Sequence, residues 1–184
     1  MQSSQSSEIT RILIDEETIR QRVGTLAAQI AADYADADTP LYLVGVLKGA
    51  FIFLADLARR LARPHAVDFM SVSSYGRSAT SGEVRLVMDL RQPIEGRHVI
   101  LVEDIVDTGQ TLAYLTKTLA SRGPASLRTC AFVRKERPGV HTPDYLGFTI
   151  PDVWVVGYGL DYADRYRTLP YIAELAPHVY QSSD

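Results

Sequence analysis

The chain has 184 residues, 46% of them hydrophobic and 22% charged, which suits one compact globular domain and argues against a disordered, collagen-like or disulfide-stapled chain. Nineteen Lys and Arg against 22 Asp and Glu leave a formal charge of −3, unlike a surface that coats nucleic acid. The single cysteine, Cys130, allows no intrachain disulfide and points to a reducing, intracellular setting.

The opening MQSSQSSEITR is polar, with no apolar export segment, and no apolar run nears the roughly 18 residues of a membrane span. A cytoplasmic protein with no membrane partner is expected. Residues 1–8 and 181–184 read as frayed ends of one domain over 1–184. Asp15 can cap a helix over 16–33, where Ile19, Val23, Leu26, Ala27 and Ile30 recur at helical spacing. LYLVGVL, 41–47, has a strand's length. Gly49 opens a second helix, with Phe51, Leu54, Leu57, Ala58 and Leu61 as its apolar stripe. AVDFMSVSSY reads as a strand, GRSATSG (76–82) as a flexible connection and EVRLVMDL as another strand. HVILVEDI is a buried parallel strand that ends in acids. A helix over 111–121, the strand SLRTCAFV and a late strand VWVVGYGL follow. The order predicts an α/β fold with a mainly parallel central sheet flanked by helices.

Ligands of such sheets sit beyond the carboxyl ends of the strands. The segment VEDIVDTGQT, 102–111, lies there. Glu103, Asp104 and Asp107 repel one another unless hydroxyls, water or a cation meet them. Thr108, Gly109, Gln110 and Thr111 then open a helix, whose free N–H groups suit a phosphate. Acids on one side and a phosphate cradle on the other match a phosphorylated sugar. Walker A spacing is absent, and Tyr162 stands where a dinucleotide fingerprint after Gly157 and Gly159 needs its third glycine.

VEDIVDTGQT resembles the phosphoribosyl-pyrophosphate (PRPP) signature of type I phosphoribosyltransferases. VGVLKGAFIFLADL, SSYG, VRKERP and IPDVWVVGYGLDYADRYRTLPYI narrow the resemblance to hypoxanthine-guanine phosphoribosyltransferases, over about residues 12–175. The resemblance implies the type I phosphoribosyltransferase fold, with a small hood built from the terminal segments. It implies that Glu103 and Asp104 hold the ribose hydroxyls, partly through Mg²⁺, and that Asp107 is the catalytic residue at purine N7. Residues 107–111 would wrap the 5′-phosphate. Leu47, Lys48 and Gly49 would form a pyrophosphate loop with a cis Leu47–Lys48 peptide.

By the same resemblance, Asp161 is a ligand of a second magnesium and Arg167 grips the pyrophosphate, which its forked guanidinium suits. Asp164 and Arg165 read as surface charges. Trp154 stacks on the purine, and the Val155 carbonyl meets its edge. Lys135 donates to the 6-oxo group, with Arg134 as a competitor for that role. Ser74 and Tyr75 begin a lid that closes over the site to exclude water. Hard carboxylate and phosphate oxygens suit magnesium; one Cys with scattered His65, His98, His141 and His178 does not suit zinc.

The implied function is purine salvage: transfer of 5-phosphoribosyl from PRPP to N9 of hypoxanthine or guanine, in a homodimer or homotetramer. A phosphoribosyltransferase for adenine or xanthine, or an RNA-binding regulator on the same fold, is the alternative. The acidic charge and the segment around Trp154 speak against RNA.

Overall fold

The computed structural model describes residues 8–74 and 84–181. The remaining residues of the two ends, Tyr75 and the connection 76–82 lie outside them. In chain order the elements are β1 (Ile9–Ile14), α1 (Glu16–Asp33), β2 (Leu41–Leu47), α2 (Phe51–Arg60), β3 (His65–Ser74), β4 (Val84–Met88), β5 (His98–Val106), α3 (Gln110–Ala120), β6 (Ser126–Lys135), β7 (Tyr145–Ile150), β8 (Val155–Val156), β9 (Ile172–Leu175) and α4 (Pro177–Gln181). A six-stranded sheet runs β4-β3-β2-β5-β6-β7. Its strands are parallel except β4, which pairs antiparallel with β3.

Strands β2 and β5 are apolar on both faces because both faces are covered. Leu41 and Leu43 of β2, with Ile100 and Val102 of β5, face the layer of α1 and α2. Tyr42, Val44 and Val46, with Val99 and Leu101, face α3 through Leu112, Leu115 and Leu119. This is the period-two alternation of a strand read from both sides. Helix α1 starts where the sequence places it: the Asp15 carboxylate accepts from Thr18 N at 2.7 Å. Its buried residues are Ile19, Val23, Leu26, Ala27 and Ile30.

The second sheet, β1-β9-β8, is antiparallel and draws on both terminal regions. It is the expected hood. Tyr158, just after β8, donates its hydroxyl to Asp56 of α2 at 2.6 Å, joining hood to core. Glu8 ties down the hood's last loop, accepting from Arg165 at 2.7 Å and from the Tyr166 hydroxyl at 2.6 Å.

Three details differ from expectation. VWVVGYGL is a strand only over Val155–Val156 and belongs to the hood, because the chain turns at Gly157 and Gly159, where φ is 102° and 105°. The buried aromatic of α2 is Phe53; Phe51 is exposed. Strands β1, β7 and β9 and the short α4 add to the expected elements. Among the described residues no helix is long and apolar enough to cross a membrane.

Candidate active site

The carboxyl ends of β2, β5 and β6 lie on one edge of the sheet, and the chemistry-bearing residues follow from them. After β5 the chain turns through Gly109, whose φ of 79° favours glycine, directly into α3. The first bond of this helix runs from Ala113 N to Gly109 O at 2.9 Å, so the N–H groups of Gln110, Thr111 and Leu112 precede intrahelical bonding. Gln110 N makes only a long 3.5 Å contact to Thr108 Oγ1. Such a turn offers donors to an anion.

Glu103 and Asp104 are the last acids of β5. Glu103 is buried, and its Oε2 has no hydrogen-bond partner. Loss of hydration, and then the neighbouring Asp104 charge, push its carboxyl well above the usual range. Burial likewise raises Asp104 to about 6, against bonds from the Ile105 and Asp104 amides and the Arg167 charge, which favour ionisation.

Asp104 also meets the loop after β2. The Leu47–Lys48 peptide there is cis, as expected. A β-carbon at Gly49 would fall 1.6 Å from Asp104 Oδ2, so only glycine lets the carboxylate lie on this loop. Gly159 of the hood packs on the same loop, its Cα facing Gly49 O. Three segments far apart in sequence thus share one contact.

Beside them is a four-charge cluster. Arg167 Nη2 lies 2.7 Å from Asp161 Oδ1 and 3.0 Å from Asp164 Oδ1, and Lys48 Nζ lies 3.1 Å from that same Asp164 oxygen. Asp161 Oδ2 accepts from Asp164 N at 2.8 Å, and Arg167 Nη1 donates to Gly159 O at 2.9 Å. Asp164 is therefore part of the site's edge, although its sequence neighbourhood reads as surface charge.

A cavity of about 240 Å³ is lined by Asp104, Ile105, Asp107, Lys135, Trp154, Val155, Leu160 and Asp161. It brings together six of the residues singled out from sequence. Lys135 is 8% exposed; its Nζ lies 3.5 Å from Asp107 Oδ2 and 3.2 Å from Asp152 Oδ1. Arg134, next to it on β6, points to the opposite face and donates to Thr142 at 3.0 Å. Trp154 stacks on Tyr180 at 5.2 Å and meets Tyr162 edge-on at 5.6 Å, yet remains 46% exposed.

Sequence reasoning missed Arg137, Asp152 and Tyr180. Arg137 lies 2.8 Å from Asp107 Oδ1 and pairs through two bonds, 2.7 and 2.8 Å, with Asp152. Asp152 stands inside the quoted IPDVW segment, and an acid two residues before the tryptophan was the available signal. Thr108, Gly109 and Gln110 do not line the 240 Å³ cavity; they border a separate groove of about 570 Å³ along α3. Ser74 ends β3, and Tyr75 lies outside the described residues.

The acids fit magnesium. Glu103 offers a buried oxygen with no partner, Asp104 lies beside it in sequence, and every donor is a hard carboxylate. Among the described residues no three His, Cys, Asp or Glu side chains converge on one point. Carboxylates of this kind suit a metal that keeps waters and arrives with substrate phosphates, as magnesium commonly does.

Residues 11–163 match the family described as "Phosphoribosyl transferase domain". The chain is 48% identical to the hypoxanthine-guanine phosphoribosyltransferase of Mycobacterium avium, over 95% of this chain and 89% of that protein. A hypoxanthine phosphoribosyltransferase of Staphylococcus aureus superimposes with a TM-score of 0.90 at 42% identity, covering 98% of both chains. The hypoxanthine phosphoribosyl transferase of Trypanosoma cruzi, solved to study how its C-terminal region affects oligomeric state and activity, has a TM-score of 0.89 at 45% identity and covers 95% of each chain.

Proposed function

The chain belongs to the hypoxanthine-guanine phosphoribosyltransferases, and from that membership we propose that it serves purine salvage, moving 5-phosphoribosyl from PRPP to N9 of hypoxanthine or guanine. The products are IMP or GMP and pyrophosphate. One observation carries the reading of the site: a nearly buried lysine, a carboxylate and a half-exposed tryptophan line one small cavity together with Asp104 and Asp161.

Lys135 donates to the 6-oxo oxygen and Trp154 stacks on the base, with Val155 at its edge. Glu103 and Asp104 orient the ribose hydroxyls. The turn from Asp107 to Thr111 takes the 5′-phosphate on its backbone donors. Lys48 and Arg167, on the loop 47–49 and the hood, receive the pyrophosphate. Holding both reactants in this way supplies most of the effective concentration a two-substrate reaction needs. The C1′–O bond to pyrophosphate breaks and its electron pair leaves with pyrophosphate. N9 supplies the pair for the new C1′–N9 bond, and Asp107 takes the purine proton.

Enzymes of this family are generally Mg²⁺-dependent. Glu103 and Asp104 would hold one ion here and Asp161 a second, and these would neutralise charge on the phosphates of PRPP. Exhaustive EDTA treatment should abolish turnover, and added Mg²⁺ should restore it. A homodimer or homotetramer belongs to the same proposal, and light scattering on the eluting protein tests it. The reaction itself is tested by supplying PRPP with each purine base and identifying the nucleotide formed.

A further inference from the structure

Two cations assigned to the pyrophosphate, Lys48 and Arg167, converge on one oxygen of one side chain, Asp164 Oδ1, at 3.1 and 3.0 Å. We propose that Asp164 stands in for the pyrophosphate: it holds the two cations in the ligand-free protein and must release both when pyrophosphate or PRPP binds. The inference rests on the assignment of Lys48 and Arg167 to the pyrophosphate.

The geometry separates Asp164 from its neighbour. The Asp161 carboxylate is only 28% exposed and is fixed on its second oxygen by the Asp164 amide. The Asp164 carboxylate is 69% exposed, at a turn where φ is 57°. Its side-chain hydrogen bonds come from Lys48 and Arg167, and it can swing into water without unpacking anything. Those two bonds also hold its carboxyl below the usual range, Arg167 contributing most. An exposed carboxylate that shares an oxygen between two cations does for them what a phosphate oxygen does. It lowers affinity for the true ligand by the cost of its own displacement, and so eases release of the product pyrophosphate.

Calorimetric titration of the whole protein with pyrophosphate in Mg²⁺ buffer tests this. Asp164→Asn keeps the shape, and both Asn and Gly tolerate the positive φ, so Asp164→Gly serves as a second variant. Both should bind pyrophosphate about two- to tenfold more tightly, the effect of removing two exposed ion pairs. The gain should shrink at high ionic strength. The inhibition constant of pyrophosphate against PRPP should fall in parallel. Unchanged or weaker binding in both variants would overturn the proposal and make Asp164 a support for Arg167. Lys48→Ala and Arg167→Gln separate the two levels. If they leave pyrophosphate binding intact, the assignment of those cations fails; if they weaken it while Asp164→Asn does not strengthen it, only the stand-in role fails.

Discussion

Asp104 rests directly on Gly49: a β-carbon at position 49 would lie 1.6 Å from Asp104 Oδ2 and 2.4 Å from its Cγ. One missing methyl group therefore joins the acid at the end of β5 to the loop after β2. Gly49→Ala must displace one or the other. A displacement of about 1 Å at a reacting centre costs on the order of 10²-fold, and kcat/KM for PRPP should fall by at least that much. Far-UV circular dichroism should stay at the wild-type value. Wild-type kinetics in the variant would show that the contact does not govern the site.

Asp107 has an ion pair on each oxygen, Arg137 at 2.8 Å and Lys135 at 3.5 Å. Asp107→Asn keeps the shape but cannot take a proton. Single-turnover rates should drop by roughly 10²–10⁴-fold while PRPP affinity changes much less. An unchanged single-turnover rate would leave Asp107 a structural role only.

The carboxyl of Asp104 is raised by burial to about 6 from 3.8. A raised carboxyl makes the folded state bind more protons than the unfolded one. Its contribution to stability is therefore present below about pH 4 and lost as pH rises through about 6, a loss of up to ~3 kcal/mol for a shift of this size. Glu103 shifts in the same direction. The ligand-free protein should lose Tm between about pH 4.5 and 7, and Asp104→Asn should flatten that decline. Mg²⁺ with PRPP should raise Tm more at neutral than at acid pH, because bound cation favours the ionised acids. A decline of equal slope in Asp104→Asn would remove Asp104 as its source.

Much of this was legible in the sequence where one local rule sufficed. Asp15 capping α1, the five buried positions of that helix and the acids ending β5 are of this kind. Phe51 lies three residues before Leu54 and so fits the apolar stripe by spacing alone; the helix phase is set by docking, which buries Phe53 instead. The acids and cations of the site were readable as residue types, but not their pairing. Arg137 reaches Asp152 across fifteen positions, and Lys48 reaches Asp164 across 116. Such pairs exist only after β6, β7 and the hood have brought their loops together.

Lys135 and Arg134 lie on opposite faces of β6, the first against Asp107 and Asp152 and the second against Thr142. Lys135→Ala should lower kcat/KM for hypoxanthine and guanine by at least ~10²-fold, the loss of a hydrogen bond made in a partly dry pocket. Affinity for PRPP should be largely kept, and Arg134→Ala should leave base choice unchanged. A large effect from Arg134→Ala with none from Lys135→Ala would reverse the assignment.

The proposed reaction transfers phosphoribosyl groups to 6-oxopurines. Measuring kcat/KM of the wild-type protein for hypoxanthine, guanine and adenine, with saturating PRPP and Mg²⁺, tests it most directly. An ammonium donates but cannot accept, so Lys135 pairs with a 6-oxo group and meets a second donor opposite a 6-amino group. Hypoxanthine and guanine should both react, and adenine should be disfavoured by about 10³-fold or more. Adenine turnover as efficient as that of hypoxanthine, or no nucleotide from either 6-oxopurine, would rule out a site selective for 6-oxopurines.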